Sequence, residues 1–224
     1  MQAPIIAIDG PAGAGKTSAA RALAARLGFL LLDTGAIYRA VALVARESGV
    51  AWTDERPLGE IARTLEIAFE PAPGGQRVLV SGRDRTAEIR APEISEGASQ
   101  VSARPAVRAA LLELQRRLGR AAQVGLVVEG RDVGSVVFPG ATLKVFLTAS
   151  PEARAERRHE ELRGRGLPSD LAATLDEIRK RDERDSTREA APLRVAEGAV
   201  VLDTSGMALD AVVAALEALY RKPS

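Results

Sequence analysis

Residues 5–28 read IIAIDGPAGAGKTSAARALAARLG and give the clearest indication of the fold. An apolar strand pattern runs into residues 10–17, which read Gly-x-x-x-x-Gly-Lys-Thr, and a helical pattern follows. Glycines let the backbone of such a loop wrap so that consecutive N–H groups converge on phosphate oxygens. The helix that begins near Lys16 adds the positive end of its dipole. A chance glycine turn would not combine strand, loop and helix in this order, so we predict a nucleotide phosphate site.

Two side chains of this phosphate loop have specific expected roles. Lys16 would reach the β- and γ-phosphates, and the Thr17 hydroxyl would help to hold Mg²⁺. The expected nucleotide contacts are Gly10, Pro11, Ala12, Gly13, Ala14, Gly15, Lys16, Thr17 and Ser18.

Five short apolar runs predict buried strands, at residues 4–8, 29–32, 125–128, 143–147 and 199–202. Because their apolarity is continuous rather than alternating, we expect a parallel sheet that is covered on both faces. Helical patterns separate them at residues 17–27, 36–47, 105–120, 171–184 and 208–220. This alternation predicts an α/β fold with a five-stranded parallel sheet and helices on both faces.

Two segments interrupt the alternation. Residues 65–89 read as short alternating strands joined by Pro73, Gly74 and Gly75, which predicts an antiparallel β insertion at about residues 63–92. A second segment is helical in pattern and rich in arginine, and we interpret about residues 152–167 as a mobile lid. We therefore expect one P-loop domain over residues 1–224 with these two attachments.

The composition excludes several kinds of protein. The chain has no cysteine and one histidine, which excludes disulfides, thiolate chemistry, histidine triads and multi-histidine metal sites. A net charge of +1 gives no overall field for nucleic acid or an anionic membrane. No apolar run reaches the roughly 18 residues of a membrane span, and the N-terminus has no basic leader. We expect a cytoplasmic monomer whose partners are small-molecule substrates.

A phosphate loop indicates nucleotide binding and leaves the reaction open. The Asn-Lys-x-Asp motif of GTPases cannot be present, because the chain has no asparagine. The segment Gly74-Gly75-Gln76 lacks the leading residues of the LSGGQ motif of transporter ATPases, and the third strand ends in Glu129 rather than an aspartate. A small kinase that transfers the γ-phosphate to a second small molecule fits best.

Polar residues near the carboxyl ends of strands predict the acceptor side of the site. The second strand runs into LDTGAIYR, in which Thr34 could cap the next helix and Arg39 would project from its first turn. The third strand runs into VEGRDVG, which places Arg131 and Asp132 between glycines. An Arg-Asp pair that only braces a turn is the alternative interpretation of the second segment.

The fourth predicted helix adds three more charged candidates. Arg181, Asp185 and Arg188 are spaced i, i+4 and i+7, so they share one face if the helix continues. Spacing alone equally fits a solvated ladder of ion pairs.

Five segments together resemble the bacterial cytidylate kinases, which are P-loop nucleoside monophosphate kinases. They are IDGPAGAGKTSAA, LLDTGAIYRA, GASQVSARPAVR, VEGRDVGSVVFPGA and RDERDSTREAAPL. DTGAIYRA and EGRDVGSVVFP discriminate best, because a generic P-loop kinase has neither. The resemblance implies a P-loop kinase core and transfer of a phosphoryl group from ATP, with Mg²⁺, to CMP or dCMP.

The resemblance also implies how the acceptor is bound. Arg39, Arg131 and Arg188 would hold its phosphate, since three arginines can neutralise a dianion through paired hydrogen bonds. Arg181 and Asp185 would hold its sugar.

Three further residues would read the cytosine, again by resemblance: Ser99, Arg108 and Asp132. Asp132 would accept from the N4 amine, and Arg108 could donate to O2 or N3. Uracil would present its O4 to Asp132, so two acceptors would face each other and UMP would be disfavoured. Thr34 stands where the family pattern has serine, and its extra methyl could crowd the sugar or base.

The expected mechanism needs no general base, because the attacking phosphate oxygen is already ionised near neutral pH. Catalysis would be alignment and charge neutralisation. The expected catalytic residues are Lys16, Arg131, Arg154, Arg157 and Arg158. The last three are spaced i, i+3 and i+4 in the lid, and a solvated helix paired with its glutamates is the alternative. Two other functions stay open: a kinase of this fold for UMP, dTMP, AMP or shikimate, and a P-loop nucleotide sensor without catalysis.

Overall fold

The computed structural model describes residues 3–72 and 75–222. Its strands are β1 (Ile5–Asp9), β2 (Leu30–Asp33), β3 (Ile67–Ala72), β4 (Gly75–Val80), β5 (Arg83–Asp84), β6 (Leu126–Gly130), β7 (Leu143–Thr148) and β8 (Val200–Asp203). Its helices are α1 (Lys16–Leu27), α2 (Thr34–Glu47), α3 (Glu55–Arg63), α4 (Pro92–Val101), α5 (Pro105–Arg120), α6 (Pro151–Gly164), α7 (Leu171–Thr187) and α8 (Leu209–Arg221).

The main sheet has five strands in the order β2-β6-β1-β7-β8. β1 lies at its centre and pairs in parallel with β6 and β7, and β8 pairs in parallel with β7. The carboxyl ends of β1 and β6 are therefore adjacent, with Asp9 opposite Gly130. This confirms the predicted five-stranded parallel sheet. The strand bounds differ from the prediction by one or two residues.

The contacts within the chain define two compact units. Unit 1 contains the described residues up to Leu31 and from Ala122 onward, and unit 2 contains Leu32–Ala121. The core of unit 1 places Ile6, Ile8 and Leu147 of the sheet against Leu23 of α1 and Leu216 of α8. All five side chains are fully buried, as continuous apolar strands require.

Unit 2 is mainly helical, with α2 packed against α4 and α3 packed against α5. It also carries the antiparallel sheet β3-β4-β5. This sheet confirms the predicted β insertion, although the predicted Pro73–Gly74 part of its turn lies outside the described residues. Two helices of unit 2, α3 and α4, were not predicted. In α4 the reason is Gly97, which weakens the helical pattern but is required because a Cβ there would lie 2.5 Å from the Trp52 ring.

Across residues 3–72 and 75–222, no helix has both the length and the apolarity that a bilayer crossing requires.

Candidate active site

The phosphate loop joins β1 to α1 in unit 1, and its shape depends on glycine. A Cβ on Gly10 would lie 1.9 Å from the carbonyl oxygen of Leu147, so no other residue fits between the strands there. Gly15 has a φ of 83° and immediately precedes α1. Thr17 and Ser18 are exposed in the first turn of α1. The loop therefore leads into a helix N-terminus whose first turn carries two exposed hydroxyls, features that suit a phosphate site.

Lys16 is buried beneath this loop. Its Nζ donates a hydrogen bond to the Pro11 carbonyl oxygen at 2.7 Å. Burial holds the pKa of Lys16 well below its usual value, and the nearby charge of Arg131 lowers it further, while Glu129 opposes the shift. An anion bound at the loop would stabilise the charged form of this lysine.

The loop after β6 carries Arg131 and Asp132. Arg131 donates from Nε to Oδ2 of Asp185 at 3.0 Å. Asp132 is buried, and its carbonyl oxygen accepts from the Val136 N–H at 2.9 Å in the π-helical turn Val133–Val137. Both predicted residues thus lie at the carboxyl end of β6.

Asp185 of α7 is the centre of a charged cluster. Its carboxylate is only 3% exposed. Burial raises its pKa, but the charges of Arg131, Arg181 and Arg188 outweigh burial, so the pKa lies below its usual value. The spacing predicted three of these four residues, Arg181, Asp185 and Arg188, as one group, and the burial of Asp185 and Arg188 differs from a fully solvated ion-pair ladder.

One detail of the predicted helix face is wrong. α7 ends at Thr187, and Arg188 follows it with an extended backbone, so it is not a third residue on the helical face. Arg188 is buried, and its Nε donates to the Ala191 carbonyl oxygen at 2.8 Å. It approaches Asp185 from just beyond the helix end, where residues 188–191 turn back.

The three lid arginines of α6 have three different sets of partners. Arg154 is buried, with its Nε bound to the Ala149 carbonyl oxygen at 2.9 Å and its Nη1 to the Ala12 carbonyl oxygen at 3.1 Å. Both of its terminal nitrogens also bind the Asp182 carboxylate, at 2.9 and 2.5 Å. Asp182 was not predicted, because nothing in its spacing marks it as the partner of a residue 28 positions earlier.

The other two lid arginines are less enclosed. Arg157 donates to the Thr204 hydroxyl at 3.1 Å and to the Thr204 carbonyl oxygen. Arg158 pairs with Glu161 at 2.9 Å on the surface of the same helix. The helix that was predicted for the lid is confirmed, but the three side chains have different partners, and their catalytic roles stay predictions.

In unit 2, the start of α2 differs from the expectation. The helix is capped by Asp33, whose Oδ1 accepts from the Ala36 N–H at 2.9 Å, and Thr34 is already its first residue. The prediction that Thr34 caps the helix was therefore wrong, because a carboxylate one residue earlier takes that position. Arg39 lies in the second turn rather than the first, and its Nη2 binds Oδ2 of Asp33 at 2.5 Å.

The two predicted base-reading residues of unit 2 are both buried. The Arg108 guanidinium lies 5.5 Å from the centre of the Tyr38 ring and donates to the Ser102 carbonyl oxygen at 3.2 Å. Ser99 is 2% exposed, and its hydroxyl has no hydrogen-bond partner among the described residues. A buried hydroxyl of this kind is costly unless a ligand or water completes it.

The chain resembles known proteins over most of its length. A family model described as cytidylate kinase matches residues 6–222. Cytidylate kinase from Pseudomonas aeruginosa is 51% identical over 212 residues, which are 94% of this chain and 92% of that protein. Cytidylate kinase from an Exiguobacterium species is 48% identical over 97% of this chain and 96% of that protein. A solved shikimate kinase from Bacteroides thetaiotaomicron is 14% identical, with a TM-score of 0.47 over 98% of this chain and 99% of that chain.

Proposed function

This chain belongs to the cytidylate kinase family, and from that premise we propose that it transfers the γ-phosphoryl group of ATP to CMP or dCMP. The products would be ADP and CDP or dCDP. The observation that supports this most directly is the cluster of Arg131, Arg181 and Arg188 around the buried Asp185, in the same unit as Lys16. Such a cluster suits an anionic acceptor whose phosphate must lie near a second anion.

In the proposed reaction, an oxygen of the acceptor phosphate attacks the γ-phosphorus. A new P–O bond forms, the bond to the β,γ-bridging oxygen breaks, and ADP leaves with that electron pair. Lys16 would bind the β- and γ-phosphates, and Arg131 would orient the acceptor phosphate. Neither residue needs to accept a proton, because the attacking oxygen is already anionic.

Mg²⁺ fits the residues that are present. Mg²⁺ commonly takes one or two protein ligands and completes its shell with phosphates and water. No cluster of three histidine, aspartate or glutamate side chains in the described parts of the chain could hold a metal by itself. The exposed Thr17 hydroxyl would therefore be its protein ligand beside the ATP phosphates. When bound, the ion would neutralise charge that develops between the β- and γ-phosphates.

We further propose that Asp132, Ser99 and Arg108 read the pyrimidine. The buried hydroxyl of Ser99 supports this role because a base could complete its hydrogen bonding. The buried carboxylate of Asp132 supports an acceptor role toward an exocyclic amine. Arg39 would add a phosphate contact, and Arg181 and Asp185 would contact the sugar.

A panel of nucleoside monophosphates tests the proposal. Purified protein is mixed with ATP, Mg²⁺ and one of CMP, dCMP, UMP, dTMP or AMP, or with shikimate, and ADP release is measured. We expect release that depends on CMP or dCMP and is abolished in Lys16→Ala. Stimulation by another acceptor instead would assign a different kinase of this fold. ATP binding without stimulated release by any acceptor would assign a nucleotide sensor.

A further inference from the structure

Asp9 ends the central strand β1, one residue before the phosphate loop begins. Its side chain binds another segment of unit 1, the turn that follows β6. Oδ1 accepts from the Val133 N–H and Oδ2 accepts from the Gly134 N–H, both at 2.7 Å. The residue is 3% exposed. Two short bonds to consecutive amides hold the start of the turn Val133–Val137 against the end of β1.

These two amides need an outside partner. They are the first N–H groups of a helical turn, so no preceding turn can accept from them. The residue before the turn, Asp132, makes no side-chain cap bond to it. Asp9 therefore supplies the cap from a neighbouring strand. Gly134 lies so close that a Cβ there would be 3.3 Å from Oδ2 of Asp9.

Burial makes a charged carboxylate unfavourable at this position, so the choice of aspartate over a neutral side chain needs a reason. Burial raises the pKa of Asp9 to about 6, so ionising it within the fold is opposed. Asparagine has the same shape and no charge, but it offers one acceptor oxygen where two N–H groups must be satisfied. Aspartate is thus the side chain of this size that offers each amide its own acceptor oxygen.

We propose that Asp9 is a positioning residue for the acceptor: it fixes Arg131 and Asp132 relative to the phosphate loop. The strand end that carries Asp9 leads directly into the loop, and the amides it binds directly follow Arg131 and Asp132. One carboxylate therefore ties the donor's loop to two residues assigned to the acceptor. The inference rests on the proposed function for the identity of that acceptor.

The test compares Asp9→Asn with the parent enzyme in steady-state kinetics with CMP, UMP and ATP. We expect kcat/KM for CMP to fall at least tenfold, with the preference for CMP over UMP reduced, while KM for ATP changes less than threefold. A merely structural role would lower the active fraction and leave that preference unchanged. The proposal would be overturned if kcat/KM fell equally for CMP and for ATP, or if it did not fall for either.

A matched control removes another capping carboxylate. Asp170 accepts from the Ala173 N–H at 2.8 Å at the exposed start of α7, and it has no assigned contact with either substrate. In Asp170→Asn, kcat/KM for CMP, the preference for CMP over UMP and KM for ATP should each stay within twofold of the parent values. If Asp9→Asn does not fold, Asp9→Glu is measured instead. It keeps both acceptor oxygens but displaces them by one methylene, and the same selective loss is expected.

Amide hydrogen exchange separates this inference from the proposed function. In Asp9→Asn, the Val133 and Gly134 amides should exchange at least tenfold faster than in the parent, whichever acceptor the enzyme uses. Unchanged exchange rates would refute the positioning role of Asp9 even if CMP is the substrate. A parent enzyme that does not phosphorylate CMP would refute the proposed function, but the effect of Asp9 on the exchange of these two amides could still be measured.

Discussion

Replacing Asp9 with asparagine should change how the free energy of unfolding depends on pH. Burial raises the pKa of Asp9 from 3.8 to about 6, against the two backbone hydrogen bonds from Gly134 and Val133. Of the charged neighbours, Asp132 raises the pKa and Lys16 lowers it. Because the folded pKa lies above the unfolded one, the protonated carboxyl is favoured by folding. The protonated Asp9 carboxyl contributes fully to stability below the pKa of 3.8 that it has in the unfolded chain, and this contribution is lost as pH rises through about 6.

The size of this effect follows from the shift. About two pKa units at 1.36 kcal/mol each correspond to about 3 kcal/mol. No discount for solvent screening is needed, because the side chain is 3% exposed. Asparagine cannot titrate, so the variant should lack this part of the pH dependence.

To test the prediction, the free energy of unfolding is measured by denaturant titration for both proteins at about pH 4 and about pH 8. The parent's stability, taken relative to that of Asp9→Asn, should fall by about 2.4 kcal/mol over this range, because at pH 4, just above the unfolded pKa, part of the contribution is already lost. All groups common to the two proteins cancel in that difference, apart from direct neighbours of the site. Parallel pH curves for the two proteins, or a relative gain by the parent as pH rises, would refute the reasoning.

Four other substitutions test the candidate site. Lys16→Ala should lower kcat by about 10²-fold or more with the fold intact by circular dichroism, because the phosphoryl group loses its buried cation; near-normal turnover would exclude that role. Asp132→Asn should lower kcat/KM for CMP about 10- to 100-fold relative to UMP, since an amide can donate to O4; an unchanged ratio would contradict base reading. Asp185→Asn should destabilise the fold by about 3 kcal/mol in urea unfolding, because three arginines lose their shared carboxylate. The difference in unfolding free energy between the two proteins should shrink as pH falls through the lowered pKa of Asp185. A difference that stays constant with pH would contradict this ion-pair explanation. Arg157→Ala should lower kcat more than it raises KM for CMP, whereas equal effects would indicate only substrate retention.

Much of the main sheet could be predicted because burial on both faces leaves a direct mark on the sequence. Each of the five apolar runs became a strand, and the central strands β1 and β6 are almost entirely buried, whereas the edge strand β8 is mostly exposed. The phosphate loop could be predicted for a similar reason, because Gly10 is demanded by a carbonyl oxygen of the adjacent strand. These are local constraints, each carried by a few consecutive residues.

What could not be predicted depends on contacts between distant residues. Nothing near Asp9 in the sequence shows that it accepts from amides more than 120 positions later. Asp182 likewise gains its role only when α6 and α7 bring it to Arg154. The capping of α2 was misassigned for another reason. Asp33 and Thr34 are both good capping residues, and only the backbone decides which one lies at the helix start.

The arginines show most clearly why composition alone cannot assign a site. A guanidinium has five N–H donors, and its capacity to bind a substrate depends on how many are already used. Arg154 binds the Ala149 and Ala12 carbonyl oxygens and, with both terminal nitrogens, the Asp182 carboxylate. These contacts use four of the five donors, so a phosphoryl group could form paired hydrogen bonds with this side chain only by displacing the Asp182 carboxylate.

Arg39 is the opposite case. It contacts the Asp33 carboxylate through Nη2, while its buried Nε has no hydrogen-bond partner within residues 3–72 and 75–222. One carboxylate therefore orients the guanidinium without occupying it, and a phosphate oxygen that accepts from Nε would satisfy a donor that is otherwise costly to bury. By this criterion we predict that Arg39 binds an anion and that Arg154, which donates to the Ala12 carbonyl oxygen, positions the phosphate loop. Arg39→Lys should accordingly weaken acceptor binding, and Arg154→Lys should weaken ATP binding first.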